Sequence, residues 1–289
     1  MQVIVILYVI LIAFTAGMLG ALLGIGGGAV LVPLLDFLAE YGLLEGVTFH
    51  EIIATSLVCT IATSSVSSSI YIKKKLTNIR LGIILSMMNI LGVFIGTTLL
   101  VMLSARYLKA LFGGLLIFMS INMFRKRKTR KTMNQKIGSG VDPIAERLGL
   151  SGAYYDEAEG RVIKYSVRNS LKGVVLSFFG GLVAGLFGVG GGVINVPILV
   201  AILGVPPKVA TATSLFIIGL NGATGGLVFL LSGLINLILV SSAITGILFG
   251  ALIGTRFLVK IRNETLRRVF AIFLFYVAIR MIVKSVGFL

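Results

Sequence analysis

A single cysteine, a single histidine and ten carboxylates among 289 residues leave little catalytic or metal-binding chemistry to consider. Cys59 alone makes no internal disulfide and no multi-cysteine metal site, and its apolar, small-residue surroundings fit inert packing. His50, beside Glu51, has no second histidine or cysteine to share a metal and no serine–aspartate partners at a telling spacing, so a structural role is expected of it. The few acids are peripheral. Asp36, Glu40, Glu45 and Glu51 gather around one early loop, Asp142, Glu146, Asp156, Glu157 and Glu159 lie in a central polar segment, and Glu264 sits in a charged loop. A carboxylate at mid-membrane usually marks a cation or proton path. None falls deep inside an apolar run, which argues against an acidic cation site, while Asp36 and Glu51 near an interface leave proton coupling open. No catalytic residue, metal ligand or cofactor site is assigned.

What the chain has in abundance is apolar sequence. Hydrophobic residues make up 57% and charged residues only 12%. Runs of 20 or more apolar residues predict an all-α, polytopic membrane protein. The net charge of +16 would suggest an acidic partner in a soluble protein. Here the basic residues stand in short loops at the ends of apolar runs, and no aromatic–basic patch or known module points to nucleic acid. The N-terminal apolar stretch has no preceding positive charge and no convincing cleavage site, so it is read as the first span.

Four apolar blocks recur on each side of a polar segment, at about 2–39, 49–72, 77–103 and 107–124, then 171–204, 208–231, 234–260 and 265–283. The expected organisation is a first transmembrane repeat at 1–124, a linker at 125–170 and a second repeat at 171–289. The linker opens with Arg125-Lys126-Arg127-Lys128, and its stretch from Tyr154 to Tyr165 suggests either a small β-hairpin outside the membrane or a disordered connection. Ala54-Thr55-Ser56-Leu57 reappears as Ala212-Thr213-Ser214-Leu215, an offset of 158 that also carries Gly92, Gly96 and Thr97 onto Gly250, Gly254 and Thr255. Each half also holds a glycine-rich segment, Gly24-Ile25-Gly26-Gly27-Gly28 with Pro33 following, and Gly188-Val189-Gly190-Gly191-Gly192 with Pro197 following. Such sequence is hostile to helix, and free backbone amides in lipid cost several kcal/mol, so these segments must line a cavity or pack on protein. Length demands a break too, because 38 residues of helix would extend about 57 Å against a hydrocarbon core of about 30 Å.

Charge sets the expected orientation. Lys73, Lys74, Lys75 and Arg80 place the loop between the second and third blocks in the cytoplasm with the basic linker. The equivalent loop of the second half, Leu231 to Leu239, is uncharged, and the next one carries Lys260, Arg262, Arg267 and Arg268. Equivalent loops facing opposite sides is the pattern of inverted-topology repeats, with eight to ten membrane segments in all. Parallel repeats are the alternative, and would put the Lys260–Arg268 cluster outside.

The doubled Gly-x-Gly-Gly-Gly-x-x-x-Val-Pro segment, the Ala-Thr-Ser-Leu that follows and the basic linker together resemble the TauE/SafE family of sulfite exporters and related anion permeases, over nearly the whole chain. The resemblance implies a multi-pass plasma-membrane transporter whose motif copies lie near its centre, with a small, often sulfur-containing, anion as cargo. Independently, helix N-termini supply partial positive charge and glycines let an oxyanion approach the amides closely. Candidate backbone donors are Gly26, Gly27, Gly28, Gly190, Gly191 and Gly192, with Gly24, Pro33, Gly188 and Pro197 shaping the breaks. Thr55, Ser56, Thr213 and Ser214 would complete an oxyanion cage, and Asn195 and Asn221 would add amides. The alternatives are close small-residue packing for the glycines and ordinary interhelical hydrogen bonds for the polar side chains. Arg256 and Arg280 lie in apolar blocks, where snorkelling to headgroups is the default. The glycine motif lacks the Lys-Ser/Thr ending of a nucleotide-binding loop. The reading is a secondary transporter for sulfite, another sulfur oxyanion or an organosulfonate, with H+ or Na+ as a possible coupling ion; its partners are the anion and the bilayer, and no oligomeric state follows. The rivals are an anion channel and an intramembrane hydrolase, the latter having only His50 as a base.

Overall fold

The computed structural model of the protein describes residues 2–124, 142–156, 160–258 and 264–286. The basic run at 125–136, the acidic turn at 157–159, Lys260 and Arg262 lie outside them. The first half contains α1 (Gln2–Leu23), α2 (Gly28–Glu40), α3 (Phe49–Lys73), α4 (Ile79–Met102) and α5 (Ala105–Phe124). A short α6 (Pro143–Arg147) and an antiparallel hairpin of β1 (Gly152–Asp156) and β2 (Arg161–Tyr165) follow, with Gly152 opposite Tyr165. The second half contains α7 (Ser170–Phe187), α8 (Gly192–Pro197), α9 (Pro207–Leu231), α10 (Leu237–Leu258) and α11 (Glu264–Val286), and α8 continues into a π-helical turn at Ile198–Ile202. Among the described residues six helices, α1, α3, α4, α7, α9 and α10, are long and apolar enough to cross a membrane. The chain is an all-α, multi-pass membrane protein.

Local sequence sets these boundaries. Thr48 and Glu51 form a capping box at the start of α3, with the Thr48 amide donating to Glu51 Oε2 at 2.7 Å and the Glu51 amide to Thr48 Oγ1 at 3.3 Å. Asn78 caps α4 through the Leu81 amide at 3.1 Å, and Asn236 caps α10 through the Leu239 amide at 3.1 Å. Pro207 opens α9 at a position where its missing N–H costs nothing.

The helix contacts repeat with the halves exchanged. α1 packs along α10 as α7 packs along α4, α3 lies against α9, and α5 lies against α11. Glycine makes the long contacts possible. A Cβ on Gly92 would sit 2.7 Å from the Leu182 amide nitrogen, and one on Gly250 would sit 2.9 Å from that of Met18. These are the glycines related by the offset of 158, and at both crossings they let backbone approach backbone.

The first block of each half turns back at its glycines. Val5 and Val9 near the start of α1 line the same 390 Å³ cavity as Leu44 and Val47 beyond α2, together with Asn236 and Leu239. Likewise the Arg168 amide before α7 donates to the Leu203 carbonyl at 3.1 Å, beyond α8. At that second end Leu203 and Val205 share an apolar cluster with Leu81, Leu150 and Tyr154. The α6–hairpin cap sits there, held by the Asn78 side-chain amide, which donates to the Leu150 carbonyl (2.7 Å) and the Tyr165 hydroxyl (3.0 Å), and by a Lys208–Asp156 ion pair at 2.7 Å.

Candidate functional site

Both helices break at the glycines. Gly24, Gly26 and Gly27 have φ of 71°, 90° and 80°, and Gly188, Gly190 and Gly191 have 68°, 71° and 82°. An L side chain rarely adopts that region, which is why the motif is glycine rather than alanine. α2 begins at Gly28 and α8 at Gly192, the last glycine of each motif.

The two breaks meet. A Cβ on Gly28 would collide with the Gly188 carbonyl oxygen and lie 2.7 Å from Val189 Cα; one on Gly192 would collide with the Gly24 carbonyl oxygen and lie 2.9 Å from Ile25 Cα. Gly26 and Gly190 face the same two side chains: their Cβ atoms would lie 3.0 and 2.8 Å from Ile218 Cγ2, and 3.6 and 3.3 Å from Thr60 Cγ2. Two helix N-termini from opposite halves therefore converge on one spot. Among the described residues the amides of Gly28 and Ala29, and those of Gly192 and Val193, have no protein acceptor. These are the orphan donors of a helix start, with about half a positive charge at each end.

The hydroxyls divide by use. Ser56 Oγ donates to the Gly188 carbonyl at 2.8 Å, and Ser214 Oγ donates to the Gly24 carbonyl at 3.2 Å. Each serine thus caps the helix ending in the other half, and both are consumed by that role. Thr213 Oγ1 accepts from the Asn78 amide at 3.0 Å and belongs to the start of α4. Thr55 Oγ1 is buried without a partner.

Asn195 and Asn221 join Asn89 of α4, a residue that sequence reasoning passed over. Asn195 Nδ2 donates to Asn89 Oδ1 at 3.0 Å, Asn221 Nδ2 to the same oxygen at 3.1 Å and to the Gly190 carbonyl at 3.0 Å. All three are fully buried, and Asn221 Oδ1 has no partner. The available signal for Asn89 was its place as the one amide in the uncharged stretch from Leu81 to Ala105.

The remaining singled-out residues lie elsewhere. His50 Nε2 lies 2.8 Å from the Leu103 carbonyl, joining α3 to the end of α4. Glu51 is held in its capping box. Arg256 is exposed. Arg280 Nη2 meets Glu40 Oε2 at 3.1 Å, an ion pair in place of the headgroup contact expected for it. Asp36, grouped by sequence with the loop acids, instead sits on α2 and is 4% exposed, paired to Lys109 at 2.7 Å.

The family described as "Sulfite exporter TauE/SafE" matches residues 9–281. A "Probable membrane transporter protein YunE" of Bacillus subtilis (strain 168) is 31% identical over 279 residues, 96% of this chain and 97% of its own. A "Probable membrane transporter protein MJ0441" of Methanocaldococcus jannaschii is 31% identical over 221 residues, 76% of this chain and 70% of its own. A "Sulfite exporter TauE/SafE family protein 6" of Arabidopsis thaliana is 42% identical over 62 residues, covering 22% of this chain and 14% of that one. No solved structure matches the chain.

Proposed function

The chain belongs to the sulfite exporter TauE/SafE family of membrane transporters, and from that premise we propose that it is a secondary carrier for a small sulfur oxyanion or organosulfonate, bound where its two helix breaks meet. The observation that carries this reading is the convergence of Gly28 and Gly192 on each other's break, with acceptor-free amides on both helix starts. Opposed helix N-termini neutralise an anion without a buried cation, and so leave no permanent charge to pay for when the site is empty. Thr55 Oγ1 and Asn221 Oδ1 are further buried polar atoms with spare capacity. The Asn221 carboxamide, turned about its bond, would offer a donor to cargo.

The arrangement of ends supports inverted repeats. The loop after α2 shares a cavity with the start of α10, while its second-half equivalent after α8 shares a cluster with the start of α4. Alternating access is then an exchange of conformations between halves, with Thr60 and Ile218 closing the space between the glycines in the present state. By the positive-inside bias the cap and the Lys73–Arg80 loop face the cytoplasm of a plasma-membrane protein. The test is uptake of radiolabelled sulfite, sulfate, thiosulfate and methanesulfonate into proteoliposomes. Gly26→Ala and Gly190→Ala, whose added methyl groups meet the Ile218 and Thr60 side chains rather than backbone, should each sharply reduce saturable, counterflow-competent flux while leaving monodisperse protein; unchanged flux by both removes the breaks from the mechanism.

A further inference from the structure

Where α2 reaches its far end, the protein keeps a buried carboxylate that its other half does not repeat. Asp36 is the least exposed acid among the described residues, at 4% exposure. Around it stand Lys109 of α5, 2.7 Å from Asp36 and 3.7 Å from Glu40, and Arg280 and Lys284 of α11, 3.1 and 2.9 Å from Glu40. Arg280 also stacks over Phe37 at 4.2 Å, and Lys109 lies 5.1 Å from the centre of the Phe49 ring. At the offset of 164, Asp36 and Glu40 fall on Val200 and Gly204. A cavity of about 210 Å³ lined by Pro33, Asp36, Glu40, Tyr276 and Arg280 reaches the cluster. A buried charge inside a membrane is costly and is retained where it serves an ion path.

We propose that Asp36 is a proton-binding site that couples anion movement to the proton gradient; the proposal rests on the anion-carrier reading above. Three cations and two carboxylates give the cluster one net positive charge. A proton arriving through the cavity neutralises Asp36, breaks its bond to Lys109 and raises that charge by one. Asp36 stands eight residues along α2 from Gly28, about 12 Å at 1.5 Å per residue. A unit charge at that distance and an effective dielectric of about 20 changes anion affinity about tenfold. Proton and anion therefore favour each other's binding, which is the thermodynamic condition for moving in the same direction. Loss of the Asp36–Lys109 bond removes the shorter of the two contacts by which Lys109 of α5 holds the half-helix carrying one anion-binding end, so the same proton loosens the element that must move. Glu40 keeps its contacts with Lys109, Arg280 and Lys284.

The experiment uses the full-length protein in proteoliposomes, with the same four radiolabelled anions and protein-free vesicles as background. Counterflow is measured at equal pH on both sides, and accumulation under an acid-outside gradient with the membrane potential clamped. Wild type is expected to accumulate its anion up to about tenfold per pH unit for one proton per transported anion. Asp36→Asn should keep counterflow at equal pH and lose gradient-driven accumulation. Should that variant not fold, Lys109→Gln removes the cation that favours the charged carboxylate and should move the flux-versus-pH midpoint upward. Accumulation that persists in Asp36→Asn, an unmoved midpoint in Lys109→Gln, or drive by a sodium gradient instead overturns the coupling while leaving the carrier. Absence of flux for all four anions in wild type overturns the carrier reading itself, and the coupling with it.

Discussion

Ser56 and Ser214 illustrate what a residue type does and does not announce. Their doubling at a fixed offset pointed to the centre of the molecule, and each donates to the carbonyl of a motif glycine. A hydroxyl on a helix has no sequence mark for a partner 132 or 190 positions away. The glycines were more legible because their constraint is covalent: positive φ and the absence of room for a Cβ allow few substitutes. Asn89 was missed because its partners, Asn195 and Asn221, come from the other half. The serine bonds carry a measurable consequence. Ser56→Ala and Ser214→Ala each leave a buried carbonyl at a helix end without its donor, an expected loss of about 1–3 kcal/mol. Thermal unfolding in detergent should show lowered midpoints for both; a midpoint unchanged in either would mean that water caps that helix instead.

Among the elements, the half-helices and the cap are where sequence reading was coarsest. Length alone required a break in a 38-residue block, and the break is there, yet whether the chain crosses or turns back depends on which ends pack together. That information resides in contacts such as Arg168 to Leu203. The cap is tied to α7 by Asp142, whose carboxylate accepts from the Ser170 amide at 2.5 Å and hydroxyl at 2.7 Å. The Ser170 hydroxyl and amide hold the Asp142 carboxyl below the usual carboxylate range. A depressed folded-state pKa contributes stability that is complete above the unfolded value of about 3.9 and disappears as pH falls through the lower folded value. Hydrogen-exchange protection of the cap, corrected for intrinsic rates, should therefore hold steady from pH 7 to 5. Asp142→Ala should reduce it several-fold already at pH 7. Protection that declines between pH 7 and 5 would place the controlling group elsewhere.

At the scale of the whole molecule, the doubled sequence and the exchanged contacts express one arrangement: α1 on α10 answers α7 on α4, and each break is capped by a serine of the opposite half. Composition made the helical membrane class legible, since nothing else accommodates so many uncharged runs. The asymmetries were harder to read. The asparagine triad lies beside one break only, and the Asp36–Lys109 cluster lies on the half-helix after the other, so two nearly equivalent halves carry different polar groups. An anion held between opposed helix starts is the central claim, and direct localisation of a bound anion tests it best. Crystals or grids prepared with selenite, the electron-rich analogue of sulfite, should show its signal within hydrogen-bond distance of the Gly28 and Ala29 amides and of those of Gly192 and Val193. A selenite signal confined to other sites, with those amides still packed against protein alone, would contradict the account.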